Sequence, residues 1–348
     1  MKAFKRIVLV LFLLSAIVAG AVGYQAWSSY QRFATGPLPG VAEGGNLMVE
    51  RGDTLRSVVT RLRGQGIDAG RDLEWRLLAR QLGTDGHIQV GEYALEPGIT
   101  ARQLLEHMRD GKVVHHRFTI VEGWNIRELR AALARATPLV QTLHEVDDAA
   151  LMATLGREGV HPEGRFLPET YAYDRGDSDV DLLRRAAADL DRSLAAAWQA
   201  RADDLPIDTA DEALVLASIV EKETGIAEER PMIAGVFTRR LRIGMRMQTD
   251  PTVIYGMGSG YDGNIRRRDL LADTPYNTYT RDGLPPTPIA MVGAAALRAA
   301  TQPEETDALY FVAIGDGSGR HVFSPTLEAH NAAVRQYVQR YREQHGPR

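Results

Sequence analysis

The sequence predicts an α+β protein: an N-terminal transmembrane helix, then a small α/β subdomain, then a larger domain of mixed helices and short strands. Three observations carry this. About twenty apolar residues follow a basic amino end, the length a helix needs to span a bilayer. Short apolar segments bounded by Gly, Pro and Asp then interleave with stretches of helical spacing. The chain has 348 residues, 44% of them hydrophobic, enough for two packed domains or one large domain with an appendage.

The opening "MKAFKRIVLVLFLLSAIVAGAVGYQAWSSY" places Lys2, Lys5 and Arg6 ahead of the apolar run. Basic residues stay on the cytoplasmic side, so residues 1–6 read as a cytoplasmic tail and 7–27 as the membrane span. Tyr24, Trp27 and Tyr30 stand where interfacial aromatics belong. A cleaved signal peptide competes with the anchor reading, given the small residues around Ala19 to Ala21. Either way the body is exported. Residues 28–46, with the Gly- and Pro-rich "TGPLPGVAEGG", read as a linker.

Residues 47–115 form the small subdomain. "NLMVERGDTLRSVVTRLRGQGI" predicts a strand, a turn at Gly52-Asp53 and a helix capped by Asp53 or Thr54, with Leu55, Val58, Val59 and Leu62 on one face. A second helix runs through Trp75, Leu78 and Leu82, and "IQVGEYALEPGITARQLLEHMRDGKV" adds a strand, a turn and a third helix. The strand–helix–helix–strand order resembles LysM-type modules, which implies binding to glycans containing N-acetylglucosamine. A small α/β spacer with no sugar site satisfies the same pattern. "VEGWNIRELRAAL" then echoes "VERGDTLRSVVTRL" as a weak internal repeat.

Residues 116–348 form the larger domain. "HPEGRFLPETYAYDRG" predicts loop and short strand, followed by a helix from about Asp179 to Ala202. "PIDTADEALVLASIVEKETG" has a marked start and stop: Thr209-x-x-Glu212 matches a capping box, and Gly225 is a natural terminator. Two glutamates close this helix. Glu223 continues the row Leu216, Ile219 and Val220, whereas Glu221 continues Leu214, Ala217 and Ser218. Two residues apart is roughly 200° of rotation, so at most one of them faces a cleft. A solvated helix end would look the same. The last turn carries unsatisfied carbonyls, which disfavour an ionised carboxylate, and partial burial adds to that. A carboxyl kept protonated near neutral pH suits a general acid, and the more apolar row favours Glu223.

Composition narrows the chemistry. The net charge of −4 gives no electrostatic case for nucleic acid. Cysteine is absent, which excludes disulfides, zinc ribbons and a thiol nucleophile. None of the nine histidines pairs with another at a metal-ligand spacing, so neither metal nor cofactor is expected. There is no Gly-x-Ser-x-Gly elbow, which argues against a peptidase.

Four segments together, "ASIVEKET", "VFTRRLRIGMRMQTDPTVIYGMG", "PYNTYTRDGLPPTPI" and "YFVAIGDGSGRHVFSPTLEAHN", resemble the membrane-anchored endolytic murein transglycosylases, the YceG-like family. The resemblance covers nearly the whole chain. It implies a YceG-like catalytic domain over 116–348 with a lysozyme-like active-site helix. It also implies cleavage of the β-1,4 bond between N-acetylmuramic acid (MurNAc) and N-acetylglucosamine (GlcNAc) within peptidoglycan strands, leaving 1,6-anhydroMurNAc ends. In lysozyme-like transglycosylases the catalytic glutamate closes a helix and precedes a serine. Here Thr224 follows Glu223, a departure that keeps the hydroxyl, and this pattern also selects Glu223.

With the resemblance, Gln248, Asp250, Asn277 and Tyr279 are expected to bind substrate, although Asn, Asp and Tyr in such segments are also ordinary turn and packing residues. Glu163 and Glu169 remain open as neighbours of the site. "GDGSG" reads as a hairpin loop and the final helix, from about Pro325, as packing. The implied partners are peptidoglycan glycan strands and glycan-polymerising penicillin-binding proteins. The implied location is the bacterial inner membrane, with the catalytic domain in the periplasm. Two rivals stand beside this: a lysozyme-like muramidase that adds water, and a non-catalytic anchored adaptor.

Overall fold

A computed structural model describes residues 2–345 of the chain. It is mixed α+β and divides into two compact units, Met1–His116 and Arg117–Arg348.

The first unit contains α1 (Lys2–Thr35), β1 (Gly45–Val49), α2 (Leu55–Gly64), α3 (Asp72–Leu82), β2 (Gly91–Leu95) and α4 (Ala101–Asp110). Helix α1 is apolar and long enough to cross a membrane, and its Phe4–Thr35 stretch satisfies both criteria. At 1.5 Å per residue its 34 residues extend about 51 Å, well beyond the roughly 30 Å of a hydrocarbon core. The excess is not a linker. Residues expected to begin one at 28 continue the helix, and Phe33 sets its ring edge-on to Trp75 at 5.1 Å. Ala34 and Leu38 are buried in the same core as Leu47, Leu62 and Leu104. After residue 28 no Gly or Pro interrupts the helix before Gly36, and Tyr30, Phe33 and Ala34 supply an apolar face that packs on residues far along the chain.

Strands β1 and β2 pair antiparallel, with Leu47 opposite Tyr93 and Val49 opposite Gly91. The order β1-α2-α3-β2 therefore closes on itself as a strand–helix–helix–strand unit. Thr54 caps α2 through a capping box with Ser57.

The second unit begins with β3 (His116–Thr119), α5 (Ile126–Leu133), α6 (Asp148–Thr154), β4 (Thr170–Tyr173) and α7 (Asp179–Gln199). These gather around Ile120, Leu129, Phe166 and Leu182. The remainder is α8 (Ala210–Glu223), α9 (Arg230–Arg242), α10 (Asp250–Met257), α11 (Arg267–Leu271), α12 (Ala294–Thr301), β5 (Tyr310–Ala313), β6 (His321–Ser324) and α13 (Leu327–His345). Strands β5 and β6 form an antiparallel hairpin whose connection contains "GDGSG".

Helix α8 is the axis of this unit. Every residue from Ala213 to Glu221 is buried, because α7, α9, α10 and α12 all pack on it. Its apolar surface is thus all-round, not the single face the residue rows suggested. The expected capping box is present: Glu212 N donates to Thr209 Oγ1 (3.1 Å), and Thr209 N donates to the Glu212 carboxylate (3.1 Å).

Candidate active site

The two glutamates at the end of α8 have opposite surroundings. Glu221 is buried against α9 and the start of α12. Its Oε1 accepts from Arg230 Nη2 at 2.8 Å, and its Oε2 accepts from Gly293 N at 3.0 Å. A Cβ at Gly293 would meet the tip of the Glu122 side chain, which would have to swing aside to admit it. Both Glu221 oxygens are spent on internal structure.

Glu223 is the last residue of the helix, and Thr224 leaves in extended conformation. Thr224 is buried and its hydroxyl accepts from Ile226 N at 2.9 Å, so it shapes the exit turn. Glu223 stays partly exposed and lines a cavity of about 370 Å³. Desolvation by the surrounding protein is the main cause that pushes its pKa up to about 7, and a nearby Asp250 charge adds to it. A hydrogen bond donated by Thr249 Oγ1 to Glu223 Oε1 acts the other way, as do the charges of His321 and Arg240. The net result is a carboxyl poised to carry or release a proton near neutral pH.

One wall of the cavity is the segment leading into α10. Gln248, Thr249 and Asp250 line it, as does Tyr279. Tyr279 Oη donates to Asp250 Oδ1 at 2.6 Å, which fixes the Asp250 carboxylate within the wall. Thr249 N donates to Thr278 Oγ1 (3.1 Å) and Gln248 N to Thr278 O (3.2 Å), so the loop around Thr278 braces the segment. Gln248 sits at φ +48°, and it is the one non-glycine residue with positive φ among those described. That left-handed conformation costs about 1 kcal/mol or more, and its bracing by Thr278 holds it in the cavity wall.

Asn277 departs from expectation. It is buried outside the cavity lining, and its amide donates to the carbonyls of Asp269, Leu270 and Ala272. Its Oδ1 accepts from Tyr279 N at 2.9 Å. A turn-forming amide with four backbone partners has nothing left for a sugar; it builds the loop that delivers Tyr279.

The rest of the lining comes from segments that residue patterns did not single out: Tyr310 and Phe311 of β5, His330 of α13, and Arg240 of α9. Tyr310 stacks on His330 with ring centroids 5.2 Å apart. Arg240 lies one turn beyond Val236 and Phe237, which are both buried, and that spacing was the available sign that it points inward.

The remaining acidic candidates lie elsewhere. Glu169 is exposed, and its carbonyl accepts from Ile120 N. Glu163 is fully buried and accepts from Ile126 N at 3.1 Å through both oxygens, at the first turn of α5. Burial pushes its pKa up to about 7, against smaller opposing effects from the Ile126 amide and the Tyr255 hydroxyl. Between the ordinary value of 4.5 and about 7 the unfolded chain has released this proton while the folded chain keeps it. Stability therefore falls as pH rises through that window. Glu163→Gln should flatten the pH dependence of thermal unfolding by on the order of 1–3 kcal/mol between pH 5 and 8.

The model of the YceG-like family matches residues 47–336. The chain belongs to the YceG-like family. An endolytic murein transglycosylase of Bacillus subtilis (strain 168) is 28% identical over 310 residues, covering 84% of each chain. The protein of the same name from Streptococcus pneumoniae serotype 2 is 30% identical over 181 residues, which span 51% of this chain and 32% of that one. A crystal structure of a YceG-like protein from Listeria monocytogenes superposes with a TM-score of 0.51 at 28% identity, covering 83% of this chain and 99% of that chain.

Proposed function

We propose that this YceG-like chain is a membrane-anchored endolytic peptidoglycan transglycosylase in which Glu223 is first acid and then base. The observation that carries the reading is the placement of Glu223: a partly exposed carboxyl, held protonated up to about pH 7, in a cavity walled by polar and aromatic side chains. The names of the relatives, endolytic murein transglycosylase, support the substrate class.

Ordinary glycosidases need a second carboxyl as nucleophile or base. Here the substrate supplies the nucleophile. Glu223 gives its proton to the bridging oxygen as the bond from MurNAc C1 breaks and oxocarbenium character develops. The resulting carboxylate takes the proton of the MurNAc 6-hydroxyl as O6 closes on C1, leaving a 1,6-anhydro end. Because that hydroxyl belongs to the same ring, much of the entropic barrier is prepaid. Asp250, fixed by Tyr279 and helping to keep Glu223 protonated, also lends negative charge to the developing cation. Gln248 and the Tyr310–His330 stack offer a hydrogen-bonding and an aromatic surface to the sugar rings.

The same Asp250 favours one alternative, a muramidase that adds water. Incubating the full chain with peptidoglycan and weighing the fragments separates the two: the proposed products are lighter by one water, whereas reducing ends would mark hydrolysis. Thr249→Val gives a finer check. Loss of its hydrogen bond removes an influence that lowers the Glu223 pKa, so the alkaline limb of the pH–rate profile should move upward. A limb that stays put or moves down would detach Thr249 from the acid.

The wider setting belongs to the same proposal. Helix α1 is the single-pass anchor in the inner membrane, with the rest of the first unit and the whole second unit in the periplasm. The β1-α2-α3-β2 unit supports a LysM-like reading with affinity for GlcNAc-containing strands. Partnership with glycan-polymerising penicillin-binding proteins would let the cut end a strand during its synthesis.

A further inference from the structure

The cavity lining includes a cation that no carboxylate contacts among the described residues. Arg240 is 6% exposed, yet it forms no ion pair among the described residues. Its guanidinium is fixed instead by two main-chain carbonyls: Nε donates to Leu309 O at 2.7 Å and Nη1 donates to Met247 O. It also lies 5.4 Å from the centroid of the Tyr310 ring. Burying a charge away from any counter-charge is costly, and hydrogen bonds to carbonyls offset that cost without neutralising the charge.

The other titratable groups around Glu223 do not play this part. His321 of β6 is already matched, with Nδ1 2.8 Å from Glu229 Oε2 and its N–H donating to Glu229 Oε1 at 3.0 Å. His330 of α13 is driven toward its neutral form by burial, and Arg240 adds to this. Asp250, at the start of α10, is an acid whose carboxylate accepts from Tyr279 Oη at 2.6 Å. Burial pushes the pKa of the Tyr279 hydroxyl up, so it is uncharged at neutral pH, and Tyr310 of β5 contributes its ring. Among the residues that line the cavity, Arg240 is therefore the permanent cation.

We propose that Arg240 is a positioning residue for the reaction: a fixed cation in the wall shared with Glu223 that stabilises the Glu223 carboxylate between the release of its proton and the return of the next. This rests on the reading of Glu223 as acid and then base. Arg240 itself neither gains nor loses a proton; one leaves Glu223 as the C1–oxygen bond breaks, and one returns from the 6-hydroxyl as C1–O6 forms. The site is thereby matched to a charge that exists only partway through the reaction. A preorganised cation of this kind needs no reorganisation when that charge appears.

The test uses the full chain in detergent micelles with peptidoglycan strands, comparing Arg240→Gln, Arg240→Lys and, as a volume-keeping uncharged variant should Gln not fold, Arg240→Met. The uncharged variants should lose about 10- to 100-fold in kcat with KM within about threefold. Their alkaline limb should move up by roughly half a pH unit or more, because Glu223 becomes harder to ionise. Lysine should restore the limb and most of kcat. A large rise in KM with an unmoved limb would overturn the proposal and give Arg240 to an anionic group of the substrate. Equal losses in all variants with a lowered Tm and an unmoved limb would reduce it to a brace for Leu309 and Met247. Absence of cleavage by the wild-type chain would strike the reading of Glu223 instead.

Discussion

Glu223→Gln should lower glycan cleavage by about 10³-fold or more while leaving folding essentially intact. General acid or base catalysis contributes about 10² to 10⁴ for one proton transfer, and the proposed mechanism asks the same carboxyl for two. The amide has the shape of the protonated acid and can still accept from Thr249 Oγ1, so the local structure has no cause to shift. It has no proton to give to the leaving oxygen and no basic oxygen to take one from the 6-hydroxyl. Stability should, if anything, improve above pH 7, where the wild-type chain has to ionise a desolvated group. The measurement is release of anhydro-muropeptides by wild-type and variant chains at equal concentration, with thermal unfolding alongside. Normal release by a folded Glu223→Gln chain would end the assignment. It would not rescue the adaptor reading, which requires that the wild type too leave glycan length unchanged.

Glu221 should give the complementary result. Glu221→Ala should destabilise the second unit by about 3 kcal/mol, because it leaves the buried Arg230 and the Gly293 amide without their main acceptor. Arg230 retains Glu122 at 3.3 Å, which keeps the loss near the lower end for a broken buried pair. Burial holds the Glu221 carboxyl above the usual carboxylate range despite the facing guanidinium. The pair is therefore costly to form as well as costly to break. Glu221→Gln keeps an acceptor for Gly293 N and should be milder, with turnover per folded molecule within a few-fold of wild type. Denaturation of the full chain in detergent, paired with turnover corrected for folded fraction, checks both. Loss of turnover in Glu221→Gln with unchanged stability would move the chemistry two residues along the helix.

These two results restate a choice that local pattern leaves nearly even. Thr209, Glu212 and Gly225 mark where the helix begins and ends, because caps act within one turn of the residues that make them. Spacing around the helix says that the glutamates diverge. It does not say which one meets the cavity, since α8 is packed on every side and the more apolar row is no more buried than the other. The decision lies with Arg230 and Gly293 on one side and Thr249 on the other. Asn277 illustrates the converse. Its residue type suits a sugar as well as a turn, and three backbone carbonyls within eight positions settle it as a turn. The supposed linker from residue 28 failed for a similar reason: its aromatic residues had partners, Trp75 among them, that lie far along the chain.

What could be read from the residues alone was whatever depends on near neighbours: an apolar span behind a basic end, capped helices, the β5–β6 hairpin, and a helix that finishes in acid. Nothing so local could assemble the cavity, because α8, α9, the approach to α10, β5 and α13 reach it from distant parts of the chain. The pKa of Glu223 and the burial of Arg240 arise from how much water that assembly excludes. Desolvation belongs to the packed whole and cannot be assigned to any segment in isolation.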